Sequence, residues 1–268
     1  MRQAVRMSRG DARRLGLRVA TPLGLLACLA SLAFLAACGG TTPLLHPAHG
    51  LAPGKVTVGL GSTGRVAMTA AAGESGSPER DLEHAAVAAG VAPWVGARVG
   101  LAGDNEAGLA WAGRSLRLDA RHVFPRGSLA LSLGVGGSLV LPERRYGDER
   151  IRSFRGGGVD VPVLFGWSSQ SGIYTVWLGP RAGVELLEGS IPADAATAAS
   201  PSEVPPTEVS ARHVSVGGVL GLRVGFRHVY VALEADGAFH AVDGTVGDTN
   251  VSLQQGSVSP GGALVIGF

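Results

Sequence analysis

Residues Gly127–Leu141, GSLALSLGVGGSLVL, decide the fold. Leu129, Leu131, Leu133, Val135, Leu139 and Leu141 occupy the odd positions, and Ala130, Ser132, Gly134, Gly136 and Ser138 the even ones. Successive side chains of a strand point to opposite faces, so the segment has one aliphatic face and one face of small residues. The same period runs through residues 173–187, 213–226 and 229–241, with apolar sets that include Tyr174, Val176, Leu178, Leu220, Leu222, Val224, Val229, Val231 and Leu233. Their opposite faces mix Gly and Ser with charge, at Arg181, Glu185, Arg223, Glu234 and Asp236. These are long strands.

The composition narrows the class. The 268 residues are 46% apolar and 16% charged, and 42 of them are Gly. Glycine follows no three-residue period, which excludes a collagen helix, and the apolar content argues against a disordered chain. Arg2, Arg6, Arg9, Arg13, Arg14 and Arg18 precede an apolar run from Val19 to Ala37, the order of an export signal. Removing those six of the 23 basic residues, and Asp11 of the 21 acidic ones, leaves a net charge of −3. The overall basicity therefore belongs to the leader, and nucleic acid is not an expected partner. Cys28 lies in the leader and Cys38 follows it, so neither a disulfide nor a cysteine metal site is expected.

The run Leu35-Ala36-Ala37-Cys38 resembles the lipobox of bacterial lipoproteins. The resemblance implies cleavage after residue 37, acylation of Cys38 and, with Gly39 following, delivery to the outer membrane. Residues 38–53, with Pro43, Pro47, Gly50 and Pro53, then read as a flexible tether on which His46 and His49 are solvated.

The terminal sequence Leu264-Val265-Ile266-Gly267-Phe268, a closing strand ending in Phe, resembles the C-terminal signature of bacterial outer-membrane β-barrels. That resemblance implies that Phe268 is an assembly signal for the barrel-assembly machinery, and that the strands' aliphatic faces meet outer-membrane lipid. The expected fold is an all-β, antiparallel up-and-down transmembrane barrel over residues 54–268. Strands are read at 54–66, 92–101, 106–112, 115–123, 127–141, 158–168, 172–187, 209–226, 229–242 and 251–268. These make ten, or eight with 54–66 left out and the count still even. Short connections gather on one rim; longer ones, at 69–91, 142–157, 189–208 and 243–250, gather on the other. Periplasmic turns and extracellular loops differ in this way. Ser77-Pro78 opens a loop helix over 78–89. Both chain ends fall on the short-turn rim, which puts the lipid anchor on the periplasmic side. Phe124, Trp167, Tyr174, Phe226 and Phe268 form an aromatic girdle there.

Strand parity sends Lys55, Arg65, Arg98, Arg117, Arg121, Arg181 and Arg223 into the lumen, against Glu106, Asp119, Asp160, Glu185, Glu234 and Asp236. A selective pore lines itself with one sign of charge, whereas this near-balance fits a salt-bridge network that fills a narrow barrel. The expected role is structural or interactive and non-enzymatic, without cofactor or metal, the extracellular loops being free for partners. A narrow pore, a soluble periplasmic β-fold and a lipid-acting enzyme are the alternatives. The enzyme would use His213 and Ser215, whose spacing resembles that of outer-membrane lipid A deacylases. Gly59-Leu60-Gly61-Ser62-Thr63-Gly64 matches a dinucleotide loop, but a Gly/Ser-rich loop follows it and the remainder is strand after strand, without the crossover unit it needs.

Overall fold

The computed structural model describes residues 42–68, 77–87, 89–142, 154–191 and 206–268. Ten strands form one sheet: β1 (Val56–Ala67), β2 (Gly90–Leu101), β3 (Asn105–Ala112), β4 (Ser115–Arg126), β5 (Leu129–Val140), β6 (Arg155–Ser168), β7 (Tyr174–Ile191), β8 (Thr207–Phe226), β9 (Val229–Val246) and β10 (Thr249–Gly267). Each pairs antiparallel with its chain neighbour, and β1 also pairs with β10, so the sheet is a closed barrel. The count of ten is correct and the eight-strand alternative is not. The segment it omits is β1, paired with β2 from Val56↔Val99 to Arg65↔Gly90 and with β10 from Thr57↔Gly267 to Ala67↔Ser257.

The pleat sorts the sequence as its period requires. Leu133 and Leu220 are 50% and 58% exposed on the outside, whereas Ser132, facing inward, is 2% exposed. A soluble barrel would bury the leucines; here the polar face is the buried one. The aliphatic belt and polar interior are those of a transmembrane barrel. Phe124, Trp167, Tyr174, Phe226 and Phe268 are all exposed at the short-turn rim, where the Trp167 and Tyr174 rings pack 5.3 Å apart.

The two rims differ. Val56, Phe268 and the turns at 102–104, 127–128, 169–173 and 227–228 lie on one. Gly103 and Asp104 both take positive φ (70° and 57°), as a tight hairpin with the strands' own twist demands. The other rim is uneven, because β7 to β10 run for 18 to 20 residues and β3 for only 8. The expected loop over 243–250 is a two-residue turn at Gly247-Asp248, with β9 and β10 paired up to Val246↔Thr249. Asp243, Asp248 and Asn250 hid it: beyond the lipid belt a strand no longer needs an apolar face, so the periodic signal fades while the ladder continues.

Helix α1 (Pro78–Ala86) lies between β1 and β2, with Ser77 capping it by accepting from the Arg80 N–H. It stops short of the expected residue 89; Val87 closes it with an N–H to the Glu83 carbonyl. Leu82, Ala86 and Val87 are buried against Val140, Phe154, Leu187, Val209 and Val242. The helix therefore closes over the lumen at the long-loop rim.

The stretch expected as a flexible tether behaves otherwise. Thr42 to Ala48 are buried, and the segment runs inside the barrel. His46, expected in solvent, is 4% exposed. Proline and glycine keep the segment out of regular structure, but the lumen supplies the bonds that fix its path.

Candidate functional site in the barrel lumen

Charges that parity sends inward meet as a continuous chain of ion pairs. Arg121 donates to both Glu106 oxygens at 2.9 Å, and Glu106 also takes Arg98. Arg98 reaches Asp119 at 2.5 Å, Asp119 pairs with Arg117 at 2.5 Å, and Arg117 grips Asp160 with two N–H groups at 2.9 and 3.0 Å. Asp160 also holds Arg181 at 2.9 Å, and Arg181 reaches Asp236 at 3.5 Å. The signs alternate along β4, β3, β2, β4, β6, β7 and β9, tying the wall across its own interior. Buried charges persist only when paired and hydrogen-bonded, and here nearly every guanidinium has two anionic or carbonyl partners. Glycine makes the room: a Cβ on Gly136 would meet Asp160 Oδ1 at 2.5 Å, and one on Gly221 would collide with the Trp177 indole.

Residues 42–53 thread this network. Leu51 donates its N–H to Glu106 at 2.9 Å, while Arg121 donates to the carbonyls of Pro47 and His49. Leu44 and Leu45 donate to the two Glu234 oxygens at 2.6 and 2.8 Å, and the Trp177 indole N–H adds a third bond at 3.2 Å. Arg181 donates to the Thr42 carbonyl at 3.1 Å, and the Thr42 hydroxyl donates to Ser115 at 2.9 Å. Thus Glu234, with no short ion pair among the described residues, is satisfied by the threaded backbone and the indole. Leu44, Leu45 and Ala48 complete an apolar core inside the lumen with Trp94, Leu164, Trp177 and Val265. At the short-turn rim the His49 ring meets the Ser128 carbonyl at 3.1 Å.

Above Thr42 the lumen opens into a cavity of about 140 Å³, bounded by Arg65, Arg117, Asp160, Glu185, His213 and His240, with Ala86 of α1 at its top. A chain of hydrogen bonds crosses one side of it. Glu185 and His213 Nδ1 are 3.3 Å apart, His213 Nε2 and His240 Nδ1 2.9 Å, and His240 Nε2 and Ser257 Oγ 2.7 Å. With both rings neutral, each having one donor and one acceptor, the bonds would run from the Ser257 hydroxyl through both rings to the carboxylate. This order polarises a serine. Ser257, however, is 3% exposed and lies outside the cavity wall, so the chain serves as a tie between β7, β8, β9 and β10.

The expected network is corrected at its edges. Lys55 lies before β1 and is exposed at the rim, because the strand starts at Val56. Arg65 donates to the Ala86 carbonyl at 3.3 Å, anchoring α1, and Arg223 stacks 4.7 Å over the Tyr230 ring. His213 and Ser215 both face the cavity, but His213 directs its nitrogens to Glu185 and His240 instead. Sequence reasoning missed the partnership of His240 and Ser257; alternation puts both inward, and only the β9–β10 register, His240↔Gln255, brings them together. Gly59 and Gly61 sit in β1 against Trp94 and Ala263, in a close-packed strand. Cys38 lies outside the described residues.

No protein-family model matches the chain, and no curated protein matches its sequence. Solved structures with a similar barrel include Neisserial surface protein A, at 11% identity and a TM-score of 0.32, covering 80% of this chain and 96% of that one. Another is Ail, the attachment invasion locus protein of Yersinia pestis, at 9% identity and 0.28, covering 80% and 99%. A third is the translocator domain of the autotransporter NalP from Neisseria meningitidis, at 12% and 0.31, covering 81% and 89%. At such scores the fold rests on the closed sheet itself.

Proposed function

We propose that the chain is an outer-membrane lipoprotein barrel, acylated at Cys38, whose role is structural or interactive and whose lumen is blocked by its own N-terminal segment. The long-loop rim then faces outward and offers its connections to partners, while the short-turn rim faces the periplasm. The observation that carries this reading is the path of residues 42–53 through the ion-pair network, with Glu234 and Arg181 bonded to its backbone. A conducting pore needs a continuous aqueous path with exchangeable sites, and here backbone occupies it. Lipid hydrolysis through His213 and Ser215 has no support from a pair that faces the lumen, away from the acyl chains. Biogenesis requires the barrel-assembly machinery, and no cofactor is called for.

Planar-bilayer recording tests the reading. The whole protein is expected to show no unitary conductance, and a variant lacking residues 44–51 to open a small one. Steady conductance from the intact protein would overturn the plugged reading in favour of a narrow pore.

A further inference from the structure

We infer that the N-terminal segment passes through its own barrel from the periplasmic rim to the outer one, so that Cys38 and its acyl chains stand on the cell surface. The inference rests on the outer-membrane orientation proposed above, and reverses the periplasmic anchorage expected from the position of β1.

The segment climbs steadily. Gly100, at the periplasmic end of β2, packs against Leu51 and Ala52. Gly166, two residues inside β6, packs against Ala48 and His49, and Gly261, six residues inside β10, against Pro43 and Leu45. Thr42 bonds to Arg181, seven residues up β7, and to Ser115, the residue next to the outer turn at Gly113-Arg114. Above it lies the cavity that Thr42 itself lines, whose wall also takes in Arg114 of the outer turn and Ala86 of α1.

Reach settles the side. Cys38 is four residues from Thr42, about 14 Å when fully extended. From Arg181 back to Tyr174 is seven residues of β7, about 23 Å along the strand and about 18 Å along the barrel axis at a 40° tilt. The way back is also filled by residues 43–51. Toward the outside, the wall is lowest at the β3–β4 hairpin beside Thr42, which lets the acyl chains enter the outer leaflet. Acyl chains cannot be drawn through a lumen packed with charge, so the β1–β10 seam closes around the segment during assembly.

Single cysteines test this in the full protein, with a membrane-impermeant maleimide on intact cells and on cells with permeabilised outer membranes. The variants are Thr41→Cys, Asp248→Cys in the outer turn, and Arg227→Cys in a periplasmic turn. The wild type, its Cys38 thiol blocked by lipid, is the blank, and each variant is first checked for a heat-modifiable barrel. Residues 41 and 248 are expected to label on intact cells, and 227 to lose all labelling until permeabilisation. If 248 and 227 segregate but 41 follows 227, the surface anchorage is overturned and the barrel orientation stands. If 248 and 227 do not segregate in this way, the orientation itself fails, and the inference with it. Labelling of the wild-type blank would overturn the acylation.

Discussion

Asp160 holds Arg117 by two bonds and Arg181 by a third, so its removal leaves Arg117 to Asp119 alone and Arg181 with Asp236 at 3.5 Å as its remaining anion, inside a closed sheet. Breaking a buried pair from one side costs roughly 3–5 kcal/mol, because the remaining charge stays desolvated. Asp160→Ala is therefore expected to lower the unfolding free energy of the barrel in detergent, read from its urea transition, by that order. Lys55→Ala, at an exposed position before β1, should shift it by no more than about 0.5 kcal/mol. Equal effects at the two positions would mean that the lumen network does not hold the barrel. The small residues beneath the network belong to the same design: Gly136 leaves space for the Arg117–Asp160 pair, and Gly221 for Trp177.

Each strand keeps lipid on one side and a charged interior on the other, and β5 allows the clearest check. Leu131 and Ser132 are neighbours on opposite faces, and Ser132 is 2% exposed. A fluorophore attached through a cysteine at 131, in a Cys38→Ser background, is expected to be quenched by a lipid-borne quencher. A cysteine at 132 should resist aqueous labelling until the protein is unfolded. The closing strand carries a second expectation. Phe268 exchanges backbone bonds with Val56, at 2.8 and 3.4 Å, at the seam where β10 meets β1. Deleting it should reduce the yield of SDS-resistant barrel without reducing synthesis, measured on unboiled gels against total protein. An unchanged yield would remove Phe268 from assembly.

For the molecule as a whole, the anchor and the barrel are separable. The barrel is held by its ladders and its lumen, and the proposed acylation at Cys38 would add to neither. Cys38→Ser should therefore abolish labelling with a fatty-acid analogue while leaving a barrel that migrates differently before and after boiling. Persistent labelling would place the lipid elsewhere. The lumen also supports the plugged reading: the signs alternate along its chain of ion pairs, and Glu234, outside that chain, is met by the N–H groups of Leu44 and Leu45.

The two-residue period determined much of this protein. Where β5 or β8 crosses lipid, apolar and small residues must alternate, so strand positions, the outward leucines and the inward charges could all be read from the chain. The period vanished where lipid ends, and there the extensions of β7 to β10 and the turn at Gly247 went unread. Nor could alternation say which inward groups meet, since it gives a face but no register. Tertiary structure alone decided that His213 joins His240 and Ser257 in place of Ser215, and that Arg117 bridges β4 to β6. It alone decided the path of residues 42–53, whose prolines and glycine give no periodic signal. Their order comes from backbone groups bonded to Glu106, Arg121, Arg181 and Glu234, residues 55 to 190 positions away along the chain. A bond between a backbone and charges so distant in sequence exists only once the sheet has closed around both.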